Sequence, residues 1–306
     1  MGLLVHQDTG AVAALRARHL IGRSRRCDLQ LDVPVVSGEH AMLWWSSGQW
    51  RIRDLGSRNG TMVDGVALSP GKGRSLSEGA VVAFGAPHER WVLHSAAPPS
   101  AQAVAQDTEE IALASGELLA LPDSEAPLAT VYRTPGGGWV LEQEDTEQAV
   151  HDKQVVVVGE RAWQLYLPEP IGGTIDLDVE VRTLSTITLR LAHSLDEEHV
   201  EITVVHGGRS EQLRSRAHHY LLLTLARQRL KDAEDPVTPP STHGWVYQGQ
   251  LMRMLGIDKN KLNVDIFRAR KQFVDANIEG AASIVERRPS TQQVRIGLSA
   301  LDIRLL

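Results

Sequence analysis

The sequence predicts a multi-domain protein with an N-terminal all-β sandwich, a β-rich middle segment and a C-terminal α+β domain. Three observations lead to this prediction. Short β-like runs broken by Gly, Pro, Asn and Asp fill residues 10–93, strand-like runs return after residue 138, and apolar residues recur at helical spacing after residue 209. At 306 residues the chain is longer than one ordinary compact core, so more than one domain is expected.

Composition indicates a cytoplasmic protein. The apolar share is 42%, yet the chain has no run of about 18 apolar residues that could cross a bilayer, and its N-terminus lacks the features of a signal peptide. The single cysteine, Cys27, excludes an internal disulfide framework and a cysteine-rich zinc site, and it suits a reducing compartment. We therefore expect a cytoplasmic localisation and no membrane partner.

The net charge of -6 hides a strong asymmetry along the chain. Residues 1–95 carry 11 basic and 8 acidic side chains, residues 96–208 carry 5 and 20, and residues 209–306 carry 16 and 10. Of the three stretches, the last has the charge that best suits a polyanionic partner.

Domain limits follow from pattern and composition. We predict a sandwich at 1–95, a linker at 96–127, an acidic β-rich segment at 128–208 and a helix-containing domain at 209–306. The linker is rich in Pro, Ala, Ser and acidic residues, and a short helix is expected near 109–121. The segments SLSEGAVVAFG…RWVLHS and AVHDKQVVVVGERAWQLYLPE share a turn, a valine strand, a Gly and a Trp-bearing strand. This similarity indicates either a degenerate internal repeat or two ordinary hairpins.

The last third of the chain changes from strand to helix periodicity. Two amphipathic helices are predicted, with a third helical pattern between them that ends at Gly256. The segment IVERRPSTQQVRIG then alternates around a Pro-Ser-Thr turn, as a β-hairpin does. The apolar arcs of the two amphipathic helices are Leu221, Leu222, Leu225 and Ala226, and Leu262, Ile266, Ala269 and Phe273.

Catalytic and cofactor signatures are missing from the sequence. In GVALSPGKG, five residues separate Gly65 from Gly71 and no Ser or Thr follows Lys72, so the spacing of a phosphate-binding P-loop fails. His218 and His219 are adjacent on a predicted helix, where neighbouring side chains point about 100° apart, and no carboxylate stands at metal-ligand spacing. We therefore expect a protein that is not an enzyme and that needs no cofactor or metal.

A series of short motifs distinguishes the N-terminal region. Their order and spacing are Gly22-Arg23, Ser37-x-x-His40, Asn59-Gly60-Thr61 and Asp64-Gly65. In spacing and in identity this series resembles the forkhead-associated (FHA) family. The resemblance implies a β-sandwich that recognises phosphothreonine.

The residue types in these motifs suit a phosphate ligand. A guanidinium offers two parallel N–H donors to a phosphate dianion, so Arg23 is the first candidate ligand. Ser37 offers a hydroxyl donor, and Asn59 can hold the backbone of an extended peptide through its amide N–H and carbonyl groups. Arg58 stands where many family members have Thr or Ser, and its longer cationic side chain could replace that donor.

Other motif residues are expected to be structural, and one position departs from the family. Gly22 and Gly60 suit tight turns, and His40 is expected to brace the loop through side-chain hydrogen bonds. Many members have Arg, Lys or Asn directly after the motif Ser, whereas this chain has Gly38 followed by Glu39. Each charge-assisted hydrogen bond is worth about 1.5–3 kcal/mol. The departure therefore implies either weaker phosphate binding or a domain that no longer needs phosphate.

The C-terminal order of three helices and a hairpin, preceded by strands, resembles the winged-helix effector domains of bacterial response regulators. In that fold the third helix enters the major groove of DNA and the hairpin contacts its backbone. The resemblance implies a recognition helix at 261–277. The alternative is that its charged residues only solvate the surface. The candidate DNA-binding residues are Val264, Arg268 and Lys271 on the helix, and Arg287, Arg288 and Arg295 at the hairpin.

Two functions are consistent with this sequence. The first is a transcription regulator whose binding to double-stranded DNA responds to phosphothreonine signalling, and the second is an adaptor whose two ends both bind proteins. A threonine-phosphorylated protein or peptide is the expected partner in either case. Phosphorylated Thr108, in QDTEEI, is a candidate intramolecular ligand because Ile111 stands three positions later, where FHA domains often read the peptide. An unmodified linker threonine is the alternative.

Overall fold

The computed structural model describes residues 1–69, 71–108, 110–134, 136–144, 146–168 and 182–306, and they fall into two compact units. Residues 1–100 belong to the first unit, and residues 101–167 with 182–306 belong to the second. Each unit has its own hydrophobic core. Within the described ranges, no helix is both long enough and apolar enough to span a membrane.

The first unit is the predicted β-sandwich. Its two sheets have the strand orders β2-β1-β11-β10-β7-β8 and β4-β3-β5-β6-β9. Strand alternation builds the core: in β6, Trp50 and Ile52 are fully buried, whereas the residues between and beside them are not. The strands are β1 (Leu3–His6), β2 (Val12–Ala14), β3 (Arg18–Gly22), β4 (Leu29–Gln30), β5 (Ala41–Ser46), β6 (Gln49–Asp54), β7 (Thr61–Val63), β8 (Val66–Ala67), β9 (Arg74–Leu76), β10 (Val81–Phe84) and β11 (Arg90–Ser95).

The second unit begins with another sandwich, at residues 101–167. Its sheets have the orders β13-β12-β19-β18 and β14-β15-β16-β17, with all neighbours antiparallel. Trp163 and the leucines of both sheets fill the space between them. The strands are β12 (Gln102–Ala105), β13 (Ile111–Leu113), β14 (Leu118–Leu121), β15 (Ala129–Arg133), β16 (Trp139–Gln143), β17 (Thr146–Val150), β18 (Val155–Val158) and β19 (Arg161–Tyr166).

The linker predicted at 96–127 is therefore wrong for most of its length, because residues 102–121 contain three strands of this sandwich. The short helix expected near 109–121 is also wrong for the described part of that range. Ala101, Ala103 and Ala105 are buried, and Gln102 between them is buried too. Alanine has a low β-propensity, so the sequence gives little sign of this strand. Pairing with β19 and burial determine the structure here, and composition alone indicated a linker.

The rest of the second unit combines strands and helices. One sheet has the order β22-β21-β20-β26, in which β20 and β26 are parallel, and a smaller sheet has the order β23-β25-β24. The elements are β20 (Thr188–His193), β21 (Val200–His206), β22 (Arg209–Leu213), α1 (His219–Ala233), β23 (Val246–Tyr247), α2 (Gln248–Leu255), α3 (Lys259–Asp275), β24 (Val285–Arg288), β25 (Gln293–Ile296) and β26 (Leu301–Leu305).

The three helices and the hairpin lie where the sequence predicted them, and both predicted apolar arcs are buried in one core. Gly256 caps the C-terminus of helix α2, and its φ of 65° is left-handed, which suits glycine. Asp258 caps the N-terminus of helix α3, where its carboxylate accepts a hydrogen bond from the backbone N–H of Lys261 at 2.7 Å.

The boundary predicted at residue 209 does not separate two structural bodies. Leu189, Leu191, Ile202 and Val204, from β20 and β21, pack in the same core as the leucines of α1. The charge changes sign near residue 209, but burial sets the boundary of a folding unit, and this body already includes residue 187.

Candidate functional site

Three connections meet at one end of the first sandwich, and Ser37 joins them. The first begins with Arg23 after β3, the second leads from β4 to β5 through Ser37, and the third leads from β6 to β7 through Arg58 and Asn59. The N–H of Arg23 donates to the carbonyl of Ser37 at 2.9 Å. The N–H of Arg58 donates to Ser37 Oγ at 3.0 Å. The four predicted binding residues therefore lie on loops that are joined by hydrogen bonds to the carbonyl and the hydroxyl of Ser37.

The remaining hydrogen-bonding capacity of these side chains suits an anion or an amide ligand. Ser37 Oγ accepts from a backbone N–H, so its own hydrogen can still be donated. Asn59 donates one amide hydrogen to the carbonyl of Val35 at 2.7 Å. This bond fixes the orientation of the amide and uses one of its two N–H groups. The side chains of Arg23 and Arg58 are exposed beside them.

Gly22 and His40 support the loops from beneath. A Cβ atom on Gly22 would lie 2.3 Å from the carbonyl oxygen of Gly38, so only glycine fits this close approach. The buried His40 accepts from the N–H of Ser37 through Nδ1 at 3.0 Å, and its Nε2 lies 3.0 Å from the carbonyl of Gly60. Burial lowers the pKa of His40, which keeps the ring neutral so that Nε2 donates to that carbonyl.

A carboxylate that the sequence analysis did not single out holds the β6–β7 loop. Asp54 accepts the N–H groups of Gly56 and Ser57, each at 2.8 Å, and the hydroxyls of Ser57 at 2.6 Å and Thr61 at 2.7 Å. Burial alone would raise the pKa of Asp54, but these hydrogen bonds outweigh it and hold the pKa below its usual value. The signal in the sequence is an acid at a strand end, followed by Ser and Thr on either side of Asn59-Gly60.

Gly38 and Glu39, where the sequence departs from the family pattern, are both exposed. A Cβ atom on Gly38 would meet nothing within 4 Å. The absence of a donor side chain at this position therefore does not follow from crowding.

Thr108 lies in a different setting from the one predicted. It is exposed in the turn between β12 and β13, where the N–H of Ala105 donates to the carbonyl of Glu110 at 2.9 Å. Ile111 is the first residue of β13 and pairs with Val104. The flexible linker on which intramolecular binding of phospho-Thr108 depends is thus a β-hairpin, which lacks the freedom to present an extended phosphopeptide.

The six candidate DNA-binding residues do not form one free cationic face. The side chain of Arg287 is 3% exposed, and its Nε lies 3.0 Å from Glu142. Arg268 is exposed and its Nη2 lies 3.6 Å from Glu125 of the second sandwich. Val264 is half-buried.

The other three cations also have partners nearby. Lys271 Nζ lies 2.7 Å from Asp275. Arg288 and Arg295 stack on the ring of Trp245, with their guanidinium carbons 4.0 Å and 4.5 Å from its centroid.

A cleft of about 560 Å³ runs along the outward side of α3, with Arg268, Lys271 and Asp275 on one wall and Ser124 and Glu125 of the second sandwich on another. The predicted recognition surface therefore lines a cleft of mixed charge within the second unit.

Comparisons with known proteins address the first unit. None of the curated proteins compared with the chain matches it. Among solved structures, the FHA domain of CT664 from Chlamydia trachomatis is 27% identical with a TM-score of 0.27, covering 30% of this chain and 93% of that one. EmbR of Mycobacterium tuberculosis, in complex with a low-affinity phosphopeptide, is 24% identical with a TM-score of 0.29, covering 32% of this chain and 25% of that one. The N-terminal FHA domain of Rad53p from S. cerevisiae, in complex with a phosphothreonine peptide, is 18% identical with a TM-score of 0.27, covering 29% of this chain and 87% of that one.

The family model of the FHA domain matches residues 19–85, a range that holds all four predicted binding residues and the loops that Ser37 joins. FHA domains are phosphopeptide-binding modules and not enzymes. Residues 19–85 of the N-terminal sandwich are an FHA domain.

Proposed function

We propose that the N-terminal sandwich binds threonine-phosphorylated peptides and that the chain is a phospho-dependent signalling regulator without catalytic activity. The position of Ser37 carries this proposal, because its carbonyl and its hydroxyl connect the Arg23 loop to the Arg58-Asn59 loop within the range that matches the FHA family.

The geometry suits a phosphorylated and extended ligand. Arg23 supplies the main counter-charge, the free hydroxyl hydrogen of Ser37 supplies a short donor, and Arg58 supplies a second cation at the rim. Asn59, held by Val35, presents its remaining amide groups to the peptide backbone.

The direct test is calorimetry of the full chain with a phosphothreonine peptide library. Arg23→Ala is expected to weaken binding at least about tenfold, since a hydrogen bond to a charged group is worth about 1.5–3 kcal/mol. Arg18→Ala is the matched control, because Arg18 is also exposed and lies at the opposite end of the same strand. Equal affinity in wild type and Arg23→Ala, with both folded, would exclude Arg23 as the phosphate ligand.

For the C-terminal region, the contacts favour the adaptor over the DNA-binding regulator. Arg287 is buried against Glu142, and Arg268 lies beside Glu125, so the cations assigned to DNA are already near carboxylates. We therefore propose that this region acts through protein contacts.

Gel shifts of the full chain with duplex DNA at low and moderate salt distinguish the two outputs. If the chain is an adaptor, the mobility of the duplex DNA is expected to stay unchanged even at low salt. A shift that weakens steeply with salt, and weakens further in Arg268→Ala with Lys271→Ala, would instead restore the transcription regulator.

A further inference from the structure

The two sandwiches of the chain share one strand arrangement. In the first, the antiparallel pairs are β1–β2, β1–β11, β10–β11, β3–β5, β5–β6 and β6–β9. In the second, they are β12–β13, β12–β19, β18–β19, β14–β15, β15–β16 and β16–β17. When β4, β7 and β8 are set aside, the two series correspond pair by pair in chain order.

Tryptophans mark the same register in both. Trp50 near the start of β6 and Trp139 at the start of β16 each pair with the last residue of the next strand in the sheet. Trp91 in β11 and Trp163 in β19 each pair with the second valine of the preceding strand. The two segments that share a pattern in the sequence are these corresponding hairpins, so the internal repeat is the better of the two interpretations.

The second sandwich differs in the connections that carry the candidate ligands in the first. The connection from Arg23 to His40 corresponds to residues 122–128, which is less than half as long, and the connection with Arg58 and Asn59 corresponds to residues 144–145. By register, Asp123 corresponds to Arg23. Its carboxylate accepts the N–H groups of Glu125 and Ala126 at 2.7 Å and 3.0 Å, so it closes a short turn.

The outer face of β14–β16 is covered by α3. Leu118, Ala120 and Tyr132 point away from their own sandwich core and form a separate apolar cluster with Phe267 and Ala282. The approach is close: a Cβ atom on Gly116, which precedes β14, would lie 2.6 Å from Val274 Cγ1 of α3.

A buried ion cluster lies beside this apolar contact. Glu142 of β16 lies 2.9 Å from Arg270 of α3 and 3.0 Å from Arg287 of β24, and none of the three side chains is more than 8% exposed. The guanidinium of Arg270 also lies over the ring of Tyr132, at 4.8 Å from its centroid. By register, the residue of the first sandwich that corresponds to Glu142 is Arg53. The second sandwich thus has a carboxylate where the first has an exposed cation.

We propose that residues 101–167 are a second copy of the FHA strand arrangement, that this copy does not bind phosphopeptides, and that its outer sheet face is the docking surface for the apolar and cationic side of α3 in the same chain.

The first test counts phosphopeptide sites in the full chain by calorimetry with a phosphothreonine peptide library. One site per chain is expected, and its affinity is expected to fall at least about tenfold in Arg23→Ala. A second phosphate-dependent site, whose affinity is the same in wild type and in Arg23→Ala, would overturn the proposal. This first test rests on the proposed function, whereas the second test does not.

The second test measures hydrogen exchange by mass spectrometry in the full chain. Glu142→Gln leaves Arg270 and Arg287 buried without their counter-charge, so exchange in β14–β17, α3 and β24 is expected to rise together, by about a hundredfold. Exchange in residues 1–100 is expected to stay unchanged. Glu144→Gln is the matched control, since that side chain is exposed two residues away.

A milder variant covers the case in which Glu142→Gln does not fold. Phe267→Leu trims the apolar cluster but leaves every ion pair, and it is expected to raise exchange in β14–β16 and α3 in parallel. Faster exchange on one side of the contact only, or no change in either variant, would show that the two surfaces are not docked in solution.

Discussion

The two sandwiches have the same strand arrangement but differ in the connections between their strands and in the charge on one sheet face. In the first, long connections at one end carry Arg23, Ser37 and Asn59 and are joined by hydrogen bonds to Ser37 and Val35. In the second, those connections contain fewer residues, and the sheet face carries Glu142, which lies close to two arginines. The two sandwiches thus share a strand arrangement and differ in the length of two connections and in the charge at one position of the sheet face.

Acid is expected to lower the stability of the first sandwich through His19. Burial lowers the pKa of His19 to about 4, so the folded FHA domain keeps this ring neutral while the unfolded chain protonates it below about pH 6.5. The unfolded state then binds more protons, and stability falls as the pH drops from about 6.5 to 4. The loss approaches about 3 kcal/mol, at about 1.4 kcal/mol per pH unit.

Urea unfolding at pH 7 and pH 5, read by hydrogen exchange in residues 1–100, checks this prediction. Leu119 corresponds to His19 in the second sandwich, so His19→Leu is expected to reduce the acid sensitivity. The exposed His94 provides the control variant His94→Leu. If wild type and His19→Leu lose the same stability between the two pH values, His19 is not the responsible group.

The next largest effect concerns the closeness of the loops in the first sandwich. Gly22→Ala places a Cβ atom 2.3 Å from the carbonyl oxygen of Gly38, and the resulting shift is expected to cost about 1–3 kcal/mol and to displace Arg23. Thermal unfolding and phosphopeptide affinity should therefore both fall. The control is Gly38→Ala, whose Cβ meets nothing within 4 Å, and stability within about 0.5 kcal/mol of wild type is expected there. Similar losses in both variants would contradict the crowding argument.

The smallest expected effect concerns Gly38, beside the candidate phosphate site. Gly38 has room for a side chain, so Gly38→Asn can add a donor to a bound phosphate. We expect up to about tenfold tighter binding of a phosphothreonine peptide, because a hydrogen bond to a charged group contributes about 1.5 kcal/mol or more before side-chain ordering is counted. Gly38→Ala should bind as wild type does. An equal gain in both variants would point to loop rigidity as the cause.

Local patterns predicted much of this molecule. Motif spacing and alternating burial indicated the first sandwich, and the two apolar arcs indicated α1 and α3. The strands at 102–121 were missed because alanine occupies their core positions and gives little local signal. The site residues stood in recognisable motifs, but the hydrogen bond from Arg58 to Ser37 spans 21 residues and that from Arg270 to Glu142 spans 128. Contacts between residues so far apart in the chain form only when the chain folds, and local sequence periodicity does not predict them.

The parallel pairing of β26 with β20 constrains how this C-terminal region can be inherited. The helices rest on β20 and β21, and β26 closes the same sheet, so a fusion breakpoint at residue 209 would separate Leu301 and Ile303 from the strand that they pair with. Recombination that moved only the helices and the hairpin would leave the edge of a sheet unpaired and apolar core residues exposed. A segment that can be transferred as a folded unit has to start before Thr188. If Arg270 and Arg287 are also to keep their counter-charge, the segment has to include Glu142 and the second sandwich.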